Sequence, residues 1–253
     1  MEVKTALRFS YYESNPDCKE QIVLLHGLFG ALSNFIELAD YFGDDYNVVI
    51  PILPLYTLEI KDTSIDGFLT YLEEFIEYKG FNGFHLLGNS LGGHIAQLYT
   101  LKHQDKVKTM TLTGSSGLFE SGMGDGYPKR GDYEYIKRKT AETFYDPKIA
   151  TKDLVDEVFD IVNDREKALR IIFTAKSALR HNLENQLHAI NIPTLLVWGN
   201  QDTITPPFVG EKFHELIKNS ELVQLDKCGH APMMEVPEQF NMSLADFLLR
   251  NTK

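Results

Sequence analysis

Phe84-His85-Leu86-Leu87-Gly88-Asn89-Ser90-Leu91-Gly92-Gly93-His94-Ile95-Ala96 is the stretch from which the rest of this chain can be read. It begins as a short apolar run of strand length, turns abruptly at Gly88-Asn89-Ser90-Leu91-Gly92, and continues as the start of a helix. A serine on so sharp a corner takes a strained backbone conformation. Its neighbours two positions away on either side must be nearly free of side chain for the chain to pass. The corner holds the Ser90 hydroxyl out at the carboxyl end of a sheet. The following helix aims its N-terminus at the same spot and leaves the amide of Leu91 free to hold a developing negative charge. A plainer possibility is a glycine-rich connection that serves only tight packing. The strand before and the helix after favour the catalytic reading.

Outward from this corner, the same rhythm repeats. Residues 21–25 are an all-apolar run of the kind buried on both faces of a parallel sheet; they end in His26-Gly27-Leu28-Phe29-Gly30 and lead into a helix over 32–42. A strand over 46–50 is closed by Pro51 and Pro54. Ile65, Phe68, Leu69, Leu72, Phe75 and Ile76 then recur at helical spacing, with Thr63-x-x-Asp66 resembling a capping box at the helix start. A strand over 107–113 is followed by the break Gly114-Ser115-Ser116-Gly117. Residues 3–12 suit one or two edge strands. After 118 the rhythm stops, and helical patterns near 132–144, 152–162 and 165–183 carry no strand between them. It resumes with a strand over 194–198, a helix over 208–217, a strand over 222–225 and a last helix near 238–249, where Phe240, Leu244, Phe247 and Leu248 mark the buried face. The expectation is an α/β fold with a mostly parallel central sheet flanked by helices. Residues 1–117 and 187–253 form its core, and 118–186 form a helical insertion lying over the sheet's edge.

Composition narrows the function classes. The 253 residues suffice for one large α/β domain, and the formal net charge of −11 repels phosphate backbones. With no basic stripe, nucleic acid is not an expected partner. No apolar run approaches the ~18–20 residues that cross a bilayer, and Met1-Glu2-Val3-Lys4-Thr5 lacks the plan of a signal peptide. Cys18 and Cys228 have no metal-ligand spacing and suggest no disulfide framework. A cytoplasmic monomer or homodimer acting on a small-molecule substrate, with no cofactor and no metal, is expected. The glycines around Ser90 do not fit the dinucleotide-binding spacing.

A serine hydroxyl needs a general base, and the base needs an orienting acid. Asp202 lies in Gly199-Asn200-Gln201-Asp202 after one strand, and His230 in Lys227-Cys228-Gly229-His230 after another. Ser90, Asp202 and His230 therefore each follow a strand, at the sheet edge where α/β proteins bind ligands. His94 stands one turn after Ser90, but a helix interior is a poor place for a base. His85, His103, His181, His188 and His214 are expected to be structural or solvated. Asp226 is too close to the histidine loop to reach round it, and after 107–113 no carboxylate precedes Glu120, which favours Asp202 as the acid over a mere turn former.

Taken together, His26-Gly27, Gly88-Asn89-Ser90-Leu91-Gly92-Gly93, Trp198-Gly199-Asn200-Gln201-Asp202 and Cys228-Gly229-His230 resemble the α/β-hydrolase family over nearly the whole chain. The order Ser…Asp…His is the family's, and the helical insertion matches its cap. The resemblance implies Ser90 as nucleophile, His230 as base and Asp202 as its orienting acid. It implies an oxyanion hole from the amides of Leu91 and Leu28, with Phe29 as the second candidate donor. Phe29 and the cap would shape an apolar acyl pocket for a small or medium carboxylic ester. A narrower resemblance, through Gly-Asn-Ser-x-Gly-Gly, Cys-Gly-His and Ala175-Lys176-Ser177-Ala178-Leu179-Arg180, is to meta-cleavage-product hydrolases, which break carbon–carbon bonds. Those enzymes usually carry an aromatic residue where this chain has Ala231, and a glycine-rich first loop where it has Leu28-Phe29. Arg165, Arg170 and Arg180 could each supply a cap contact to an anionic substrate, but solvation on a helix surface is their expected use. The same residues would also serve perhydrolysis of the acyl-enzyme, or a hydrolase-like ligand receptor with little turnover.

Overall fold

A computed structural model of the chain describes residues 1–119, 129 and 131–251. Glu120 and most of residues 121–130, which belong to the expected insertion, lie outside the described residues. The chain opens with β1 (Lys4–Ala6), β2 (Phe9–Glu13), β3 (Gln21–Leu25), α1 (Ile36–Phe42), β4 (Asn47–Pro51), α2 (Ile65–Lys79), β5 (Phe84–Asn89), α3 (Leu91–Lys102) and β6 (Val107–Thr113). Among the described residues three α-helices follow: α4 (Tyr133–Ala141), α5 (Lys152–Asn163) and α6 (Arg165–Arg180). The chain then completes β7 (Thr194–Gly199), α7 (Pro207–Leu216), β8 (Ser220–Leu225), α8 (Pro232–Glu235) and α9 (Pro237–Asn251).

The eight strands form one sheet in the order β1-β2-β4-β3-β5-β6-β7-β8. β1, β2 and β4 pair antiparallel, and every pair from β4 to β8 is parallel. The α/β expectation therefore holds, and the N-terminal edge strands are an antiparallel hairpin. Successive strand residues point to opposite faces. Ile22, Leu24, Val48, Ile50, Leu195 and Val197 pack with Leu38, Phe42, Phe240, Leu244 and Phe247 from α1 and α9. Val23, Leu25, Val49, Leu196 and Trp198 face the other way, onto Phe68, Phe75, Ile95 and Phe213 from α2, α3 and α7. Apolar residues on both faces are what a parallel strand needs to be covered twice, which is why these strands read as unbroken apolar runs.

One local expectation is corrected. The N-cap of α2 is Ser64, whose hydroxyl accepts the Gly67 amide at 3.1 Å. Thr63 instead donates its hydroxyl to the Glu59 carbonyl at 3.0 Å. Residues 232–235 form the single turn α8, with Pro232 in its first turn where a missing amide costs nothing.

Among the described residues, the stretch from β6 to β7 contains helices and no strand. Its two ends meet: the Leu183 amide donates to the Gly117 carbonyl at 2.8 Å, and Asn182 Nδ2 to the Leu118 carbonyl at 2.9 Å. No helix among the described residues is long and apolar enough to cross a membrane.

Candidate active site

Ser90 sits between β5 and α3 with φ 54° and ψ −119°, a left-handed φ that a residue with a side chain adopts only under constraint. The constraint is visible. The Ser90 amide donates to the Thr113 carbonyl at 3.1 Å, and the Ser90 carbonyl accepts the amides of His94 and Ser116 and the Ser116 hydroxyl, each at 3.2 Å. The motif glycines are required by close approach. A Cβ on Gly88 would lie 2.4 Å from the Gly92 carbonyl oxygen, and one on Gly92 would lie 2.1 Å from that of Leu25. Leu91 is the first residue of α3, so its amide has no acceptor within the helix.

His230 and Asp202 meet across two neighbouring loops. His230 Nδ1 lies 2.9 Å from Asp202 Oδ2, with both side chains almost wholly buried. Oδ1 of Asp202 accepts the amides of Ile204 and Thr205 at 2.8 and 2.9 Å, and Oδ2 also accepts the Thr205 hydroxyl at 2.9 Å. A carboxylate that takes these donors can only accept from the imidazole. Nδ1 therefore carries the proton, and Nε2 keeps its lone pair. The two loops are cross-linked: the Gln201 amide donates to the Cys228 carbonyl at 2.9 Å, and the Cys228 amide to Gln201 Oε1 at 3.0 Å. Asn89, beside the serine, donates to the carbonyls of Thr113 and His230 at 3.0 and 3.2 Å and so ties the serine corner to the histidine loop.

The loop after β3 is fixed from beneath. His26 Nε2 accepts the Leu53 amide at 3.0 Å, and Nδ1 donates to the Gly27 carbonyl at 2.9 Å, which requires a neutral ring. Burial holds the His26 pKa below the usual histidine value, in keeping with this. The Gly27 carbonyl also accepts the Gly30 amide at 3.0 Å, and the Leu28 carbonyl accepts the Tyr56 hydroxyl at 2.7 Å. Burial, aided by the charge of Glu157, raises the Tyr56 pKa and keeps the phenol a donor. In a trans peptide the N–H points opposite to the C=O, so these anchors fix the directions of the Leu28 and Phe29 amides.

A cavity of about 1180 Å³ brings the expected residues together: Ser90, Leu91, His230, Leu28 and Phe29 all line it. Asp202 stands behind His230, against Thr205, which is itself in the cavity wall. The opposite wall comes from α4, α5 and α6, through Ile136, Leu154, Val158, Val162 and Ile171 among others. The remaining candidates lie elsewhere. His94 is buried against His181, ring centroids 5.7 Å apart, and burial lowers its pKa to about 4. Asp226 accepts from Asn200 at 2.6 Å. Arg165, Arg170 and Arg180 are not in the cavity lining. The Arg170 guanidinium donates to the carbonyls of Leu58 and Glu166 at 2.9 and 3.2 Å. Burial pushes the Cys228 thiol pKa up, with the charges of Glu235 and Asp202 adding to it, so it is no rival nucleophile. Sequence reasoning missed Thr205, Tyr56 and Glu235. Only the asparagine of Gly88-Asn89-Ser90 stood in a motif, without an assigned purpose.

The profile of the alpha/beta hydrolase fold matches residues 21–145 and 163–237. "Lipase 3" of a Moraxella species is 28% identical over 246 residues, covering 89% of this chain and 76% of that protein. The 2-hydroxy-6-oxononadienedioate/2-hydroxy-6-oxononatrienedioate hydrolase of Paraburkholderia phymatum is also 28% identical, covering 98% of this chain and 93% of its own. Among solved structures, an alpha/beta hydrolase enzyme from the sediment metagenome of the Mar Chica lagoon, Morocco, superposes with a TM-score of 0.82 at 39% identity, over 100% of both chains.

Proposed function

This chain belongs to the alpha/beta hydrolase fold family, and from that premise we propose that it is a serine hydrolase cleaving apolar carboxylic esters through Ser90, His230 and Asp202. The observation that carries the reading is the buried 2.9 Å contact of His230 Nδ1 with Asp202 Oδ2, on the wall of the cavity that also holds the strained Ser90. In this mechanism His230 Nε2 takes the Ser90 proton as Oγ attacks the ester carbonyl carbon. The oxyanion accepts the amides of Leu91 and Leu28. The C–O bond breaks as His230 returns the proton to the leaving alcohol. Water then repeats the cycle on the acyl-enzyme and releases the acid. Each oxyanion donor is worth ~3 kcal/mol of transition-state stabilisation. Asp202 keeps the imidazole tautomer and stabilises the imidazolium.

Residues 118–186 act as a cap in this reading. Support comes from the apolar wall that α4–α6 contribute and from the meeting of the segment's ends at Gly117 and Leu183. At about 1180 Å³ the cavity exceeds the ~300–1,000 Å³ usual for ligand pockets, which extends the acyl range beyond small esters. Similarity to the Paraburkholderia hydrolase favours carbon–carbon bond cleavage as a second reading. Ala231, where meta-cleavage-product hydrolases usually carry an aromatic residue, keeps this reading second, while the cavity wall holds Lys139 and Lys176 but no arginine among the described residues.

The test is fluorophosphonate labelling of the wild type and of Ser90→Ala, followed by p-nitrophenyl esters of increasing chain length and a ring-fission dienoate. Labelling lost with Ser90, and turnover rising with acyl length, is expected. Turnover of the dienoate alone would replace the ester reading with the second one.

A further inference from the structure

Glu235, in the short α8, has no place in the triad, yet its carboxylate gathers the backbone around His230. Both oxygens accept the Gly229 amide at 3.0 Å, Oε1 accepts the Ala231 amide at 3.2 Å, and Oε2 accepts the Tyr145 amide at 2.7 Å. The amide between them, that of His230, donates to the Thr143 carbonyl at 3.0 Å. Three successive amides of the histidine loop are therefore bound by Glu235 and Thr143, and Thr143 lies at the C-terminal side of α4 with Tyr145, whose amide shares the Glu235 carboxylate. The Thr203 hydroxyl, next to Asp202, adds a bond to the Glu142 carbonyl at 3.1 Å. The fit is close. A Cβ on Gly229 would lie 2.7 Å from the Thr143 carbonyl oxygen, 3.0 Å from the Tyr145 nitrogen and 3.1 Å from Glu235 Oε1.

We propose that Glu235 is a positioning residue: it sets the attitude of His230 and makes that attitude depend on segment 142–145 of the helical region being docked. The role rests on His230 being the base. A charged acceptor shared among three amides is a strong tie, and it spans two parts of the molecule that no strand pairing among the described residues joins. If segment 142–145 leaves, Glu235 loses the Tyr145 amide and His230 loses the Thr143 carbonyl together. The backbone beneath the imidazole is then less constrained, with Asp202 still holding Nδ1, and a misplacement of the ring by about 1 Å is enough to slow proton transfer by roughly 100-fold.

Glu235→Gln tests this, since it keeps the size but turns an amide N–H₂ toward donors. It should fold, with a melting temperature within about 4 °C of wild type. Its kcat should fall roughly 10–100-fold with KM within about twofold, the range for a residue that orients another. Fluorophosphonate labelling should slow by the same factor, because the probe also needs His230. Glu235→Asp keeps the charge but withdraws it, and should be no more active than the glutamine variant. Amide hydrogen exchange in Glu235→Gln should quicken in both 143–146 and 228–232. Tyr145→Pro, which removes one donor at an exposed position, should quicken exchange in 228–232 and lower kcat by a smaller factor. An unchanged kcat in folded Glu235→Gln, full activity in Glu235→Asp, or faster exchange confined to 228–232 would overturn the proposal. Wild-type protein that resists the probe would instead overturn His230 as base, and the exchange data would still decide whether the carboxylate ties the two segments.

Discussion

The loops that carry Ser90, Asp202 and His230 face the same cavity as helices α4–α6, but the two walls are held in different ways. Each loop leaves the carboxyl end of a parallel strand, buried for β5 and β7 and at the sheet edge for β8, and the loops are bonded to one another through Asn89, Gln201 and the contact of Asp202 with His230. The helices have a small core of their own, Ile136, Val158 and Val162 with Phe29 against them, and no strand among the described residues. They are joined to the sheet domain at separate points: the Ile65 amide donates to the Ser177 hydroxyl at 3.0 Å, Arg170 donates to the Leu58 carbonyl at 2.9 Å, and 142–145 makes its own contacts. The difference teaches where accuracy is needed. In the proposed mechanism proton transfer fails with small displacements, and its groups sit on loops tied to one another by hydrogen bonds. A pocket for an apolar chain needs only volume and greasy walls, which amphipathic helices supply and can vary without disturbing the sheet.

If this division is right, the largest effect belongs to the loops. Asp202→Asn should lower kcat/KM by about 10⁴-fold through the wrong imidazole tautomer. Steady-state kinetics on a reactive ester measures it, and a variant within tenfold of wild type would break the contrast. Next is packing beneath the loops. Trp198 is wholly buried, and its indole N–H donates to the Thr205 carbonyl at 2.8 Å. Trp198→Ala should cost about 3–5 kcal/mol in urea unfolding and carry activity down with it. On the opposite wall, Val158→Ala should cost only about 1–2 kcal/mol. It should leave kcat on a short ester within twofold and shift the preference toward bulkier acyl groups, which a chain-length series would reveal. A pH dependence of stability, separate from activity, also belongs to the sheet domain. Burial lowers the pKa of His85 and of His94 to about 4, against 6.5 for an unburied histidine. In both, the unfolded chain binds the proton more readily, so this stability is present above pH 6.5 and is lost as the pH falls toward 4. Melting curves between those limits should slope downward on acidification, and His85→Gln should flatten part of the slope.

Much of the site was legible because its signals are local. Ser90 is announced by the glycines a tight corner demands, and His230 and Asp202 by loops that each follow an apolar strand. Thr63 for Ser64 as the helix cap was an error of one residue, since both can cap and only the turn of the backbone decides. Tyr56, Thr205 and Glu235 left no such mark. Tyr56 reaches Leu28 across 28 residues, and Tyr145 reaches Glu235 across 90. A tyrosine or glutamate in those places reads like any surface or loop residue.

By itself, then, the sequence determined the doubly covered parallel sheet, the strained serine corner and the order of the three chemical groups, because sterics and hydrophobic periodicity act between near neighbours. Only the tertiary structure decided which donors hold Asp202, how the amides after His26-Gly27 are aimed, and that one carboxylate ties the histidine loop to the helical wall. Those depend on pairs of groups far apart in the chain, and a hydrogen bond exists only where folding brings donor and acceptor within about 3 Å.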